Sequence, residues 1–453
     1  MAKPHLVIIG NGMAGGRLLE EILKRDPARY RITVFGAERW DNYNRIMLSP
    51  VLAGEIEKPE IILHTREWYT QQGIELHSGD PVVYVDTAQQ QVISQQGLTV
   101  HYDKLVLATG SEATLPANLP GENTQGIFSF RKMDDIDAIL SAGQHSRRAI
   151  VLGGGLLGLE AAYGLSKQNI PVTVIHRGPW LLNRQLDPKA AELLRQELEL
   201  RGIEIRLNCE IQDYICTATD TGNVLSAVQM ADGTLLNCDL AVIAIGITPN
   251  TELARSSELN CQRGIVINSL LETNADPVYA LGECSEFEGE TFGLVAPIWD
   301  QAQALADRLC YTADSHFELS PYATKLKVSG IDLFSAGEYL DQEDTESLVY
   351  EDPEHSVYRK LIFRGQTLVG TVLYGAVQDG QWYFDLIQAN TDIRHLAPMM
   401  LFGKQYCKAL LAEQPSSNTA VEAEPHTEFV SDTLLPPGAT PISASELASG
   451  VTP

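Results

Sequence analysis

From His5 the chain runs apolar through Leu6, Val7, Ile8 and Ile9 and breaks at Gly10-Asn11-Gly12-Met13-Ala14-Gly15. It then spaces Leu18, Leu19, Ile22 and Leu23 as a helix does before a second apolar run, Ile32-Thr33-Val34-Phe35. The pattern predicts strand, glycine turn, helix, strand. Between Ile74 and Val100 it changes to short alternating runs with turns at Gly79-Asp80 and Gln96-Gly97, which predicts a small β-meander. The meander leads into an apolar strand, Leu105-Val106-Leu107, that ends in Ala108-Thr109-Gly110.

The same order then recurs. Ala149-Ile150-Val151-Leu152 enters Gly153-Gly154-Gly155-Leu156-Leu157-Gly158, a helix follows to about Lys167, and Val172-Thr173-Val174-Ile175 is the next strand. Val224 to Met230, the Asp232-Gly233 turn and Leu235-Leu236 repeat the meander, and Leu240 to Gly246 repeats the glycine-ended strand. An internal duplication of this kind predicts two Rossmann-like three-layer dinucleotide-binding domains, an α/β fold. From Pro321 to Tyr383 strand-like runs return, at Lys325 to Val328, Leu333 to Ala336, Tyr358 to Phe363 and Leu368 to Tyr374. They predict a small α+β C-terminal domain closed by a helix around Met399 to Leu411.

The expected layout is an FAD-binding domain over 1–112 and 246–320, an NAD(P)H-binding domain over 113–245, the C-terminal domain over 321–411, and a disordered acidic tail over 412–453. The tail is rich in Pro, Ser, Thr, Ala and Glu and has no Lys or Arg. An acidic stretch from Asp341 to Glu354 reads either as a docking patch or as a solvated face.

The glycines carry the first chemistry. Gly10 permits the tight turn, Gly12 lets the backbone N–H groups of Met13 and Ala14 approach a pyrophosphate, and Gly15 allows close helix packing. Gly153, Gly155 and Gly158 repeat these jobs, with Leu156 and Leu157 opening the second helix. The helix N-terminus adds partial positive charge where phosphates sit. Glu38, just past the second strand, is the candidate acceptor for an adenosine ribose, against the alternative of a solvated loop glutamate. Arg45 would meet phosphate or flavin if its segment folds back. After the strand Val172 to Ile175 stand His176-Arg177, with Arg184 further on, where an NADH enzyme usually places an acid. Basic residues there predict that NADPH is accepted and preferred, with Arg177 the main contributor; the alternative is a solvated loop in an NADH enzyme.

Charge and cysteine content narrow the class. The 453 residues carry a formal net charge of -26, which argues against nucleic acid or anionic membrane as partners. No apolar run is long enough to span a bilayer and no signal-peptide pattern opens the chain, so a cytoplasmic protein is expected. The seven cysteines are scattered, without a C-x-x-C pair, and predict reduced thiols with neither a metal site nor a redox disulfide.

Taken together, these strings resemble the FAD-dependent pyridine nucleotide-disulfide oxidoreductase superfamily. Within it they resemble the N-terminal flavoprotein module of assimilatory NAD(P)H nitrite reductase large subunits. The resemblance rests on Ile9 to Met13, Tyr43-Asn44-Arg45, Gly154 to Ala162, Leu281-Gly282-Glu283-Cys284 and Phe292 to Pro297, and it covers residues 3 to about 400. It implies FAD at Ala108-Thr109-Gly110, at Gly282-Glu283, where the acid would hold the ribityl chain, and at Ala296-Pro297, and it implies NAD(P)H at the second turn as far as Gly246.

The departures from the family are equally informative. No cysteine precedes Cys209, so a thiol relay beside the flavin is not expected. The lysine that many relatives pair with the glutamate matching Glu160 is replaced by Pro50, leaving Glu160 as a tentative catalytic residue near flavin and nicotinamide. The cysteine sets of iron-sulfur and sirohaem modules are absent, so the chain is not expected to reduce nitrite by itself. The expected activity is an electron-transfer flavoprotein that feeds a separate redox protein, a nitrite or nitrate reductase component, with rubredoxin or ferredoxin as the alternative acceptor. A reading from another class is a flavoprotein that works through a cofactor-dependent change of shape or partner, with slow turnover.

Overall fold

The computed structural model of the chain describes residues 3–407, apart from 122–123, 221, 312–314 and 329. Its first sheet has five parallel strands in the order Val278–Ala280, Lys104–Leu107, His5–Ile9, Arg31–Gly36, Glu75–Ser78. Its second has five parallel strands in the corresponding order: Ile127–Ser129, Leu240–Ile243, Ala149–Leu152, Val172–His176, Ile203–Leu207. Continuous runs such as Leu6 to Ile9 and Leu240 to Ile243 are buried because a parallel sheet is covered on both faces. The duplication read from the apolar pattern is therefore a duplication of topology.

Each sheet is accompanied by a three-stranded antiparallel meander. The first comprises Val82–Asp86, Gln91–Ser94 and Thr99–His101; the second comprises Ile211–Thr219, Gly222–Met230 and Leu235–Asn237. One expectation is corrected here. Glu75–Ser78, expected inside the first meander, pairs with Arg31–Gly36 and closes the parallel sheet. Its alternation misled because an edge strand is covered less completely than its inner neighbours. The two crossings between the duplicated units lie side by side, Ser111–Ala113 pairing antiparallel with Ile247–Pro249.

The C-terminal sheet is antiparallel, in the order Thr324–Val328, Ile331–Gly337, Thr367–Tyr374, Val357–Arg364, Glu346–Asp352. Its edge strand Glu346–Asp352 runs through the acidic stretch, and the carboxylates there are largely ion-paired: Asp341 with Lys360, Asp344 with Arg364, Glu346 with Arg394, Glu351 with Lys189. The helix packed on this sheet is Gly380–Ala389, whereas the helix expected around Met399 is the short Ala397–Met400. A turn follows it and residues 404–407 are helical again, while 408–411 of that expectation and the acidic tail lie outside the described residues.

One hydrophobic core joins the second dinucleotide unit to the C-terminal sheet. Ile331, Leu333, Tyr358, Val372 and Tyr374 share it with Leu181, Leu182, Leu186 and Leu194. Burial of each such side chain contributes about 1.5 to 3 kcal/mol. Leu48, Val51 and Leu52 of the helix Leu48–Ala53 enter the same core, so this helix ties the first unit to the second.

Candidate functional site

The two glycine turns have nearly the same geometry. Gly10 has φ +126 and Gly153 has φ +127, a region that favours glycine, and a side chain at either would run into the carbonyl of Ala108 or of Ala244. A Cβ on Gly15 or Gly158 would strike the carbonyl of Gly10 or Gly153, so what these glycines allow is approach of the helix to the turn itself. Gly12 and Gly155 differ from all four. Each caps a helix with ordinary φ, -89 and -84, without a side-chain cap, and a Cβ there would meet nothing within 4 Å. The first-turn N–H groups of Met13–Arg25 and Leu156–Lys167 thus face open space, with the positive end of the helix dipole behind them. That arrangement fits a pyrophosphate at both turns.

Around the first turn, side chains from distant segments converge on two carboxylates. Glu283 is ion-paired with Arg131 and accepts from Ser111 Oγ at 2.9 Å, while Arg131 Nη2 also donates to Ser111 Oγ at 2.8 Å. Glu38 accepts from Arg45 Nη2 and from the Tyr43 hydroxyl, both at 2.7 Å, and Arg45 Nη1 donates to the Arg131 carbonyl. Arg131 is only 9% exposed, and burial lowers its pKa against the pull of Glu283. Thr109 and Asn250 exchange hydrogen bonds at 2.9 and 2.8 Å, which fixes Thr109-Gly110 to the crossing at Ile247–Pro249. Gly282 N–H donates to the buried Gln301 at 2.7 Å. Ala296 and Pro297 lie in the first turn of the helix Val295–Tyr311.

Sequence reading missed Arg131, Ser111, Asn250 and Gln301. Arg131 and Glu283 are 152 positions apart, and no local period or spacing marks either as the partner of the other. The pairing joins the loop after Ile127–Ser129, an edge strand of the second sheet, to the loop after Val278–Ala280, an edge strand of the first.

Glu160, one helical turn into Leu156–Lys167, accepts from Ser49 Oγ at 2.6 Å. Ser49 belongs to Leu48–Ala53, one turn beyond Arg45, so this bond joins the two units beside the arginine cluster. Burial pushes the Glu160 carboxyl up to about 7 and the Ser49 hydrogen bond pulls it down. Among the described residues no cation is ion-paired with it. Pro50 stands where a lysine was looked for, and the hydroxyl of the preceding serine takes its place as partner.

At the second turn, Gly154 N–H donates to His176 Nδ1 at 3.1 Å, and a side chain on Gly154 would collide with His176 and Leu181. Burial lowers the His176 pKa, with a further push from Arg177, and Nδ1, which accepts from Gly154, carries no proton. Arg177 and Arg184 are exposed and make no ion pair among the described residues. The structure therefore brings His176 under the turn and leaves the two arginines free. Gly246, with φ +132, accepts through its carbonyl from Thr114 N–H at 2.9 Å. Cys284 is fully buried, with Sγ directed at the carbonyls of Leu281 and Leu107, and burial raises its pKa. All seven cysteines are free thiols.

Two copies of one glycine-turn unit, bridged by buried polar groups, define a protein with two sites suited to dinucleotides. The chain belongs to the pyridine nucleotide-disulphide oxidoreductase family, whose model matches residues 4–305; residues 322–391 match the rubredoxin NAD+ reductase C-terminal domain. It is 39% identical over 429 residues to the assimilatory nitrate reductase electron transfer subunit of Bacillus subtilis (strain 168), covering 94% of this chain and 55% of that protein. It is 30% identical over 340 residues to the nitric oxide reductase FlRd-NAD(+) reductase of Vibrio vulnificus (strain CMCP6), covering 75% of this chain and 86% of that one. The chain spans about half the length of the assimilatory relatives it matches. Among solved structures, the covalent putidaredoxin reductase-putidaredoxin complex shares the fold, with a TM-score of 0.80 at 24% identity, covering 91% of this chain and 99% of that one.

Proposed function

We propose that this chain is an FAD-dependent NAD(P)H reductase that passes electrons to a separate redox protein, a nitrate or nitrite reductase component. The observation that carries this reading is the 39% identity over nearly the whole chain to an assimilatory electron transfer subunit. The thiol inventory agrees with it, since the cysteine nearest the first site in sequence, Cys284, is buried and turned toward backbone carbonyls.

In this reading FAD occupies the first turn. Met13 and Ala14 N–H groups hold its pyrophosphate, Arg45 and Arg131 supply positive charge, and Glu283 orients the ribityl hydroxyls. Glu38 serves the adenosine ribose, whose hydroxyl shares oxygens already bonded to Tyr43 and Arg45. Thr109, Gly110, Gly282, Ala296 and Pro297 would supply further backbone against the FAD. NAD(P)H occupies the second turn through Gly153, Gly155, Leu156, Leu157 and Gly158, with His176, Arg177, Arg184 and Gly246 around it. A bound flavin accepts a hydride and can return its electrons one at a time, which a nicotinamide does poorly. The division into 1–112 with 246–320, 113–245 and 321–411 follows this assignment, and a cytoplasmic location would suit an enzyme drawing on NAD(P)H.

Glu160 is the residue best suited to proton handling. Its raised pKa lets Oε2 hold or release a proton near neutral pH, and Ser49 fixes its orientation. Anaerobic stopped-flow reduction by each nicotinamide, followed by mixing with candidate acceptor proteins, tests the whole reading. Fast reduction and fast reoxidation by a nitrate or nitrite reductase component are expected; slow reduction with no competent protein acceptor would refute it. The match of residues 322–391 to the rubredoxin NAD+ reductase C-terminal domain favours rubredoxin as the second acceptor to try.

A further inference from the structure

The segment 177–187 links the second glycine turn to the C-terminal sheet. Leu182 N–H donates to the carbonyl of Gly154 at 2.9 Å, and it does so from φ +50, a left-handed conformation that a leucine holds only when its surroundings enforce it. Those surroundings include the C-terminal sheet. Leu181, Leu182 and Leu186 are buried with Ile331, Leu333, Val372 and Tyr374, and the Tyr339 hydroxyl donates to the carbonyl of Asn183 at 3.3 Å.

The far end of the segment is held by a buried polar knot. Asp187 caps the helix Pro188–Leu200, its Oδ1 accepting from Ala190 N–H at 3.2 Å, and its Oδ2 accepts from the Tyr358 hydroxyl at 2.6 Å. Lys360, only 4% exposed, places Nζ 3.7 Å from the same oxygen and 3.0 Å from Asp341. A buried ammonium and a buried carboxylate are tolerated only as partners, so the position of Asp187 is set from the C-terminal sheet. Nothing in this knot reaches the glycine turn directly. It acts through a segment whose contacts include the Gly154 carbonyl, Asn208 N–H at the Gly178 carbonyl and, through Leu181, the ground beside His176.

We propose that Tyr358 and Lys360 are positioning residues for nicotinamide-nucleotide recognition: by clamping Asp187 they hold segment 177–187 against Gly154, with Arg177 and Arg184 presented to the nucleotide. The C-terminal domain thereby shapes the site through the segment 177–187. The inference rests on the assignment of NAD(P)H to the second turn.

The test is direct binding of NADP+ and NAD+ to the oxidised, FAD-loaded full chain, with FAD content and thermal stability measured in parallel. Tyr358→Phe removes one hydroxyl and Lys360→Met one charge. Each should keep FAD, raise the nucleotide Kd about threefold to tenfold and leave flavin reduction at saturating nucleotide unchanged, while Lys360→Arg stays near wild type. Tyr339→Phe, which loosens the same segment without touching the buried charges, should weaken binding in the same direction and serves if either knot variant fails to fold. Unchanged Kd in folded Tyr358→Phe or, failing that, in Tyr339→Phe overturns the inference. Gly155→Val separates the two levels. If it abolishes nucleotide binding while the clamp variants do not weaken it, only the clamp is wrong; if it binds as wild type does, the assignment of the second turn falls and the clamp with it.

Discussion

Ser49 Oγ and Glu160 Oε2, 111 positions apart in sequence, are joined by a hydrogen bond of 2.6 Å across the seam between the two dinucleotide units. The bond gives a partly buried carboxyl a neutral partner, where the sequence resemblance led a lysine to be looked for at Pro50. Burial, opposed by this hydrogen bond, pushes the carboxyl up to about 7.

The first prediction is a pH signature of that carboxyl. Because its folded pKa lies above the ordinary carboxylate value, the folded protein binds more protons than the unfolded chain between the two, and stability falls as pH rises through that window. Relative to Glu160→Gln, wild-type stability should decline by roughly 2 to 3 kcal/mol between about pH 4.5 and about pH 8 in urea titrations. Flavin reduction by NAD(P)H should show a bend near pH 7 that Glu160→Gln lacks. Ser49→Ala removes the interaction that lowers the pKa and should move the bend upward. A bend that survives in Glu160→Gln would assign it to another group.

The glycines of the first turn should separate folding from cofactor binding. A side chain on Gly12 meets no protein atom within 4 Å, so Gly12→Val is expected to give soluble, folded apoprotein without yellow colour. Gly10→Val would collide with the Ala108 carbonyl and is expected to be insoluble or strongly destabilised. Circular dichroism and FAD content measured together check both, and a Gly12→Val protein with full FAD would remove the pyrophosphate from this turn.

Nucleotide preference should depend on Arg177. It is exposed without an ion pair among the described residues, so its guanidinium is available to a 2′-phosphate. Arg177→Ala should cost NADPH about tenfold or more in kcat/KM, in line with a hydrogen bond to a charged group, and leave NADH nearly unchanged. Equal losses for both nucleotides, or a wild type reduced by NADH alone, would contradict this.

Cys284 should be dispensable for chemistry. Its thiol is fully buried and burial raises its pKa, so little thiolate forms at neutral pH. Cys284→Ser is expected to retain most acceptor-reductase activity and its FAD. A loss of roughly a hundredfold with FAD still bound would make this cysteine a participant, the size of effect that removal of a catalytic group produces.

The amino-acid pattern by itself determined the duplicated α/β architecture, both glycine turns and four of the five C-terminal strands, because each is written in local terms; the edge strand Glu346–Asp352 was hidden in an acidic stretch. Buried parallel strands read as apolar runs, and a turn that must admit a phosphate or a close carbonyl excludes side chains at fixed spacing. The exchange of Glu75–Ser78 from meander to parallel sheet was not local, since an edge strand and a hairpin strand share the same alternation. The polar site was less local still. Arg131 with Glu283, Ser49 with Glu160, Thr109 with Asn250 and Asp187 with Lys360 are pairs between separate segments, and a buried charge or hydroxyl carries no periodicity that points to its partner. Only strand order and the packing of three units on shared cores decide which polar groups leave water together. Because desolvation makes such groups depend on their neighbours, the tertiary structure, and not the residue types, raises the pKa of Glu160 and lowers that of His176.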